Sequence, residues 1–175
     1  MTIDALRNGG FTITDLRLAN VHPLELKKFG IPLDLLLEGG YKPKALKEVG
    51  FDAAQLKELG CTAGSLRDAG FHISDLMHVG FSAFELSQGG FPVKILKDVG
   101  FTAATLRDAN FSASALEEVG FTAKELRMGG YTPSQLVSAC FTGVELRAAG
   151  VTASDLRIAG MTARELKDGG FSNQE

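Results

Sequence analysis

The chain has 175 residues, a net charge of −3 and a pI near 5.7, so it lacks the basic surplus with which nucleic-acid-binding domains meet phosphate. It has no Trp and two Tyr, too few for a base-stacking platform, and no uninterrupted apolar run of about 18 residues that would span a membrane. At 45% hydrophobic content it can bury a core.

From Met1 to Gly170 the sequence is seventeen ten-residue units laid end to end, followed by the stub 171–175. Phe121-Thr122-Ala123-Lys124-Glu125-Leu126-Arg127-Met128-Gly129-Gly130 represents them, and its residues define positions 1 to 10. The first five units (Met1 to Gly50) are the least regular: Val21-His22-Pro23 and Ile31-Pro32-Leu33 depart from the pattern at positions 1 and 2 but keep Leu26 and Leu36. Units six to thirteen are regular, and the last four depart only at Cys140 and Val151. No linker, low-complexity insert or composition shift interrupts the series, so one repeat domain over 1–175 is expected. With Met1 at position 1 of the first unit and no basic and apolar leader, no signal peptide is expected, and a cytoplasmic protein is the default expectation.

Position 6 is Leu in all seventeen units, and position 10 is Gly except at Asn20, Asn110 and Cys140. Gly and Asn adopt the left-handed backbone most readily, so position 10 reads as the C′ residue that closes a helix. Thr or Ser at position 2 with an acid at position 5, as in Thr122 and Glu125, has capping-box spacing. The aromatic at position 1 and Leu at position 6 then form a hydrophobic staple, and Pro23, Pro43 and Pro133 fall at N1. The pattern predicts a helix over roughly positions 3 to 9 of every unit. At ~1.5 Å per residue such a helix is about 10 Å long, too short to persist alone. Its stripe at positions 3, 6 and 9 must be covered by neighbouring units, which makes the predicted fold an all-α solenoid of seventeen short helices. The competing reading is a pentapeptide-type β-helix, since large apolar residues recur every five (Phe101, Leu106, Phe111, Leu116). Lys, Glu, Arg, Ala and Gln at positions 4 to 8 favour the helix.

Position 7 is usually Lys or Arg and position 5 often an acid, each suited to its end of the helix dipole. The two positions flank the apolar stripe, which suggests an inter-unit ladder of position 7 bases and position 5 acids. Position 7 loses its base at Leu37, Met77 and Glu117, with further exceptions at Ser87 and Val137, and Gly recurs at position 9 at a similar interval with Gly39 off by one unit, hinting at four units per superhelical turn. A coil of two-helix hairpins is the alternative.

No catalytic motif is present: no Gly-x-Ser-x-Gly, Walker loop, His-Glu-x-x-His or Cys-x-x-Cys. Cys61 and Cys140 read as a small core residue and an imperfect cap. His22 and His72 fall at N-cap positions and His78 on the outer face, with no metal-ligand spacing among them. No enzyme activity, cofactor or metal is expected. Large apolar residues at nominally outward positions, Leu35, Leu37, Met77, Phe84, Ile95, Val137 and Val144, form the candidate partner surface. A row of Thr at position 2 (Thr102, Thr122, Thr132, Thr142, Thr152, Thr162) offers a minor alternative, an ice-binding face.

The Phe-Thr-Ala-x-x-Leu-Arg-x-Ala-Gly pattern covers the chain and resembles a tandem decapeptide α-helical repeat; tetratricopeptide, ankyrin, HEAT and leucine-rich units are all longer. The resemblance implies architecture. By analogy with longer repeat families, the expected function is a non-catalytic scaffold for protein–protein interaction, with a structural spacer or self-assembling array as the alternative. The expected partner is another protein or a second copy, with neither nucleic acid nor membrane.

Overall fold

The computed structural model describes residues 9–172, and within them every decapeptide folds alike. Sixteen six-residue α-helices run from Ile13–Leu18 to Ala163–Asp168, each over positions 3 to 8, and no strand occurs among the described residues. The fold is an all-α repeat solenoid, and the β-helix reading fails because every rung is helical. The first decapeptide's predicted helix, residues 3–9, lies outside the described residues except at its last position, which is a turn.

Each end of a helix is fixed by the residues the pattern singled out. Position 2 is extended, and the Thr122 hydroxyl accepts from the Glu125 N–H at 3.2 Å while Glu125 Oε2 accepts from the Thr122 N–H at 2.8 Å. Gln does the same at Asp52–Gln55 and Thr132–Gln135. His22 and His72 cap with Nδ1, as expected. At the other end position 9 is the cap and position 10 turns left-handed. The Gly130 N–H bonds the Arg127 carbonyl at 3.0 Å and the Tyr131 N–H bonds the Leu126 carbonyl at 3.1 Å, a Schellman motif. Asn20, Asn110 and Cys140 take the same turn with φ of 57°, 67° and 62°. The helices whose N-cap is Pro32, Lys42 or Pro92 have no side-chain cap bond yet still form. Burial is what holds a two-turn helix.

That burial centres on position 6. Leu26 and its counterparts through Leu156 are 0% exposed, and position 3, position 9 and the position 1 aromatic pack around them. Each such Leu contributes about 1.5–3 kcal/mol by leaving water. The contacts fall into two compact units, Met1–Phe81 and Ser82–Glu175. In the first, the helix Ile13–Leu18 packs on Leu33–Glu38, and Pro43–Glu48 on Ala63–Asp68. In the second, Ala103–Asp108, Ala123–Met128, Gly143–Ala148 and Ala163–Asp168 stack in one column, and Ala113–Glu118, Pro133–Ser138 and Ala153–Ile158 in another. Within each unit these helices therefore rest on the one two decapeptides away. A coil is a pair of helices, about twenty residues, and the four-unit winding is not what forms. The recurrence of Gly at position 9 has a different cause. A Cβ on Gly129 would come within 2.7 Å of the Ala103 Cβ, and one on Gly169 within 2.7 Å of Gly143, so Gly at position 9 marks close approach to position 3 of the preceding coil.

Candidate functional site

Position 7 organises the surface between coils. The ladder of bases and acids does not form: the ion pairs among the described residues join Arg67 to Asp68, Arg107 to Asp108 and Arg164 to Asp168, all within single helices. The cation instead reaches forward 22 residues to the open C-terminal carbonyls of the helix two units on. Lys27 Nζ donates to the Val49 carbonyl at 2.8 Å, Lys57 to Val79 at 2.8 Å, Lys97 to Val119 at 2.9 Å and Arg127 to Ala149 at 2.6 Å. The same ammonium lies over the aromatic at position 1 of the following unit, 4.2 Å from the Phe51 ring centre for Lys27, 4.4 Å from Phe81 for Lys57 and 4.7 Å from Phe121 for Lys97. Carbonyls with an unsatisfied lone pair at the negative end of a helix, beside the negative face of a ring, make a cation seat. The macrodipole argument correctly put a base at position 7, but the helix it serves lies in the next coil.

The seat explains position 10 a second time. A Cβ on Gly150 would come within 2.7 Å of Arg127 Nη1, and one on Gly120 within 3.3 Å of Lys97 Nζ. Every decapeptide with Lys or Arg at position 7 two units earlier has Gly at position 10. Asn110 and Cys140 stand where the residue two units earlier is Ser87 or Glu117. Side chains at position 10 occur where no cation has to pass.

Tyr at position 1 uses the same vertical register. The Tyr41 hydroxyl donates to the Val21 carbonyl and that of Tyr131 to the Phe111 carbonyl, both at 2.7 Å, and burial pushes both phenols above their ordinary range.

Between the coils of the second unit lie three equivalent grooves. One, of about 430 Å³, is lined by Lys97, Phe101, Ala104, Phe121, Glu125 and Met128. The next, about 470 Å³, has Glu117, Phe121, Lys124, Phe141, Glu145 and Ala148 at the same places. The third, about 460 Å³, has Val137, Phe141, Val144, Met161, Glu165 and Asp168. The frame repeats every twenty residues: an aromatic or Met floor at position 1 and a carboxylate at position 5. Positions 4, 7 and 8 change from groove to groove. The capping hydrogen bonds from Thr122 and Thr142, backbone N–H first and hydroxyl second, hold the Glu125 and Glu145 carboxyls below the usual range, so both are anionic at neutral pH.

The structure sorts the sequence-predicted partner residues. Val137 and Val144 line one groove together. Phe84, Ile95 and Val144 are exposed at 47%, 38% and 60%. Leu35, Leu37, Met77 and Val137 are half-buried, Leu37, Met77 and Val137 at position 7 where the cation stems also sink. Met128 and Ile158, at 79% and 82% exposed, are more open than any of these. Both sit at position 8, where an acid is common, and that substitution was the signal available in the sequence. The hydroxyls of Thr122, Thr142 and Thr162 each donate to a position 5 carboxylate at 2.7–2.8 Å. Cys61 is half-buried, which raises its thiol pKa, and Cys140 is exposed; both are free. Among the described residues no cluster of His, Cys, Asp or Glu could hold a metal ion, and no helix is long and apolar enough to cross a membrane.

No curated protein and no solved structure matches the chain. A family described as "Decapeptide repeat region" matches residues 1–63, 40–113, 60–133 and 110–175, four overlapping segments that together cover every unit. The matched segments cover the whole chain, whose structure repeats a short helix every ten residues, and the chain belongs to the decapeptide repeat family.

Proposed function

We propose that this chain is a non-catalytic scaffold that binds another protein along the grooves between its coils. The observation that carries the reading is the contrast within the grooves, a constant floor and carboxylate with variable residues at positions 4, 7 and 8. A constant frame serves stacking, whereas the side chains at positions 4 and 8, which lie outside that frame, are left to recognise a partner. Exposed apolar groups at Met128, Val144 and Ile158 supply the desolvation such a contact needs. The threonine hydroxyls that an ice-facing surface would present are engaged in capping bonds, which favours the protein-binding reading over the ice-binding one.

Affinity capture with the wild-type chain, quantified by mass spectrometry against the folded variants Met128→Lys and Val144→Lys, tests the proposal. Both residues are exposed, so neither change opens the core. A protein retained by the wild type and lost from both variants supports it. Equal capture by all three contradicts it. Sedimentation of the same samples identifies a second copy of the chain as the partner if association depends on concentration and is lost in the same variants.

A further inference from the structure

Along the second unit position 7 departs from Lys or Arg at Ser87, Glu117 and Val137, and at Glu117 an acid takes the place of the cation. Where Lys97 lies over Phe121 and caps the Val119 carbonyl, the equivalent residue twenty positions on is Glu117, in register with Phe141 and with the carbonyls of Ala139 and Cys140. No side chain of the described residues donates to either carbonyl, and Glu117 and Phe141 line the same cavity of about 470 Å³. By register the Ala139 and Cys140 carbonyls and the Phe141 ring correspond to the acceptors and ring of the filled seats, and position 7 there carries a carboxylate on an exposed residue. Glu145 lines the cavity as a second carboxylate, with Lys124 the one opposing charge. We propose that the Phe141 seat receives a lysine side chain from the bound partner protein, its ammonium pairing with Glu117 over the ring and capping the helix Pro133–Ser138. This rests on the protein-binding reading above and names the chemistry one groove selects.

The occupant is lysine in preference to arginine. Beneath the filled seats a Cβ at position 10 would stand 3.3–3.6 Å from the ammonium of Lys27, Lys47, Lys57 or Lys97, close to ordinary contact. Beneath Arg127 and Arg147 it would stand 2.7 and 2.8 Å from guanidinium nitrogen, an overlap. Cys140 supplies that Cβ here, and its sulfur turns toward the Ser138 carbonyl at 3.9 Å. A compact ammonium fits above it and a planar guanidinium does not.

The test is an NMR titration of the 15N-labelled full chain with N-acetyl-lysine methylamide and, separately, the arginine analogue. The expected result is saturable shifts centred on the Cys140 and Phe141 amides, with none at Gly50 and Phe51, whose seat Lys27 fills. Glu117→Lys occupies the seat from within and weakens the lysine probe about tenfold or more. Phe141→Leu keeps an apolar plug without the ring and weakens it in the same direction, while Glu118→Gln, outside the cavity, leaves it unchanged. The proposal is overturned if the lysine probe does not shift Cys140 and Phe141, if arginine binds equally, or if folded Glu117→Lys and Phe141→Leu bind as the wild type does. Such a failure leaves the capture experiment with Met128→Lys and Val144→Lys untouched, so the two claims fall separately.

Discussion

Lys97→Met isolates what a filled cation seat contributes. Methionine keeps most of the apolar stem that crosses the coil and removes the charge. The ammonium's bond to the Val119 carbonyl at 2.9 Å and its place 4.7 Å from the Phe121 ring centre are lost. An exposed cation–π contact is worth about 0.5–1 kcal/mol, and a cation at a helix C-terminus about 0.3–1 kcal/mol. The two overlap in one charge, so the expected destabilisation is about 1 kcal/mol. With a urea m-value of about 2 kcal/mol/M the midpoint falls by about 0.5 M at unchanged m. Glu117→Met, at the equivalent place in a seat with no cation, shifts stability by less than about 0.5 kcal/mol. Amide exchange localises the effect, because Lys97→Met speeds exchange at Gly120 and Phe121, whose N–H groups close that helix onto Glu117 and Leu116. Equal midpoints for the two variants, or faster exchange in Glu117→Met as well, would refute the assignment of position 7 to the next coil's helix end.

Other outcomes follow from the same geometry. Leu106→Ala, at a fully buried position 6, costs about 2–5 kcal/mol in chemical denaturation. Gly150→Ala strains a residue at φ 77° and displaces Arg127, whereas Gly160→Ala at φ 96° meets no side chain; both lose about 1–2 kcal/mol to backbone strain, and only the first recovers part of its loss in an Arg127→Ala background. The capped carboxyls of Glu125 and Glu145 have folded pKa values below their unfolded ones. Their stabilisation is full above the ordinary glutamate range near 4.3 and is lost as pH falls through the lower folded values. A Glu125→Gln, Glu145→Gln double variant, which Gln135 shows can still cap, flattens the acid limb of the thermal midpoint against pH and leaves the midpoint near pH 7 little changed.

The unit was legible in the sequence because every local rule pointed the same way. The Thr–Glu box, N1 proline, mid-helix Leu and left-handed Gly are contacts among residues within six positions of each other, and composition alone specifies them. What the sequence obscured lay between coils. Position 7 satisfied the dipole rule for its own helix, which concealed that its donor reaches carbonyls 22 residues on. The same misplacement suggested the base–acid ladder, whose remnant is a minor electrostatic influence of Lys97 on Glu125. The exceptions at Leu37, Met77 and Glu117 suggested a period of four, which the further exceptions at Ser87 and Val137 do not share. The pairing of Cys140 with Glu117 and Asn110 with Ser87 held the twenty-residue register in plain sight, readable only once the path of the cation was known. Of the apolar residues that the repeat pattern places outward, Phe84 and Val144 are exposed at 47% and 60%, whereas Leu37 and Val137 are half-buried at position 7.

A nuclear Overhauser measurement between the Lys97 side-chain methylene protons and the Phe121 ring tests the two-unit coil most directly. Cross-peaks there, with ring-current shifts of the Lys97 protons to high field, are the predicted result. Lys97 protons at ordinary shifts with no contact to Phe121, or contacts to a ring four decapeptides away, would contradict it.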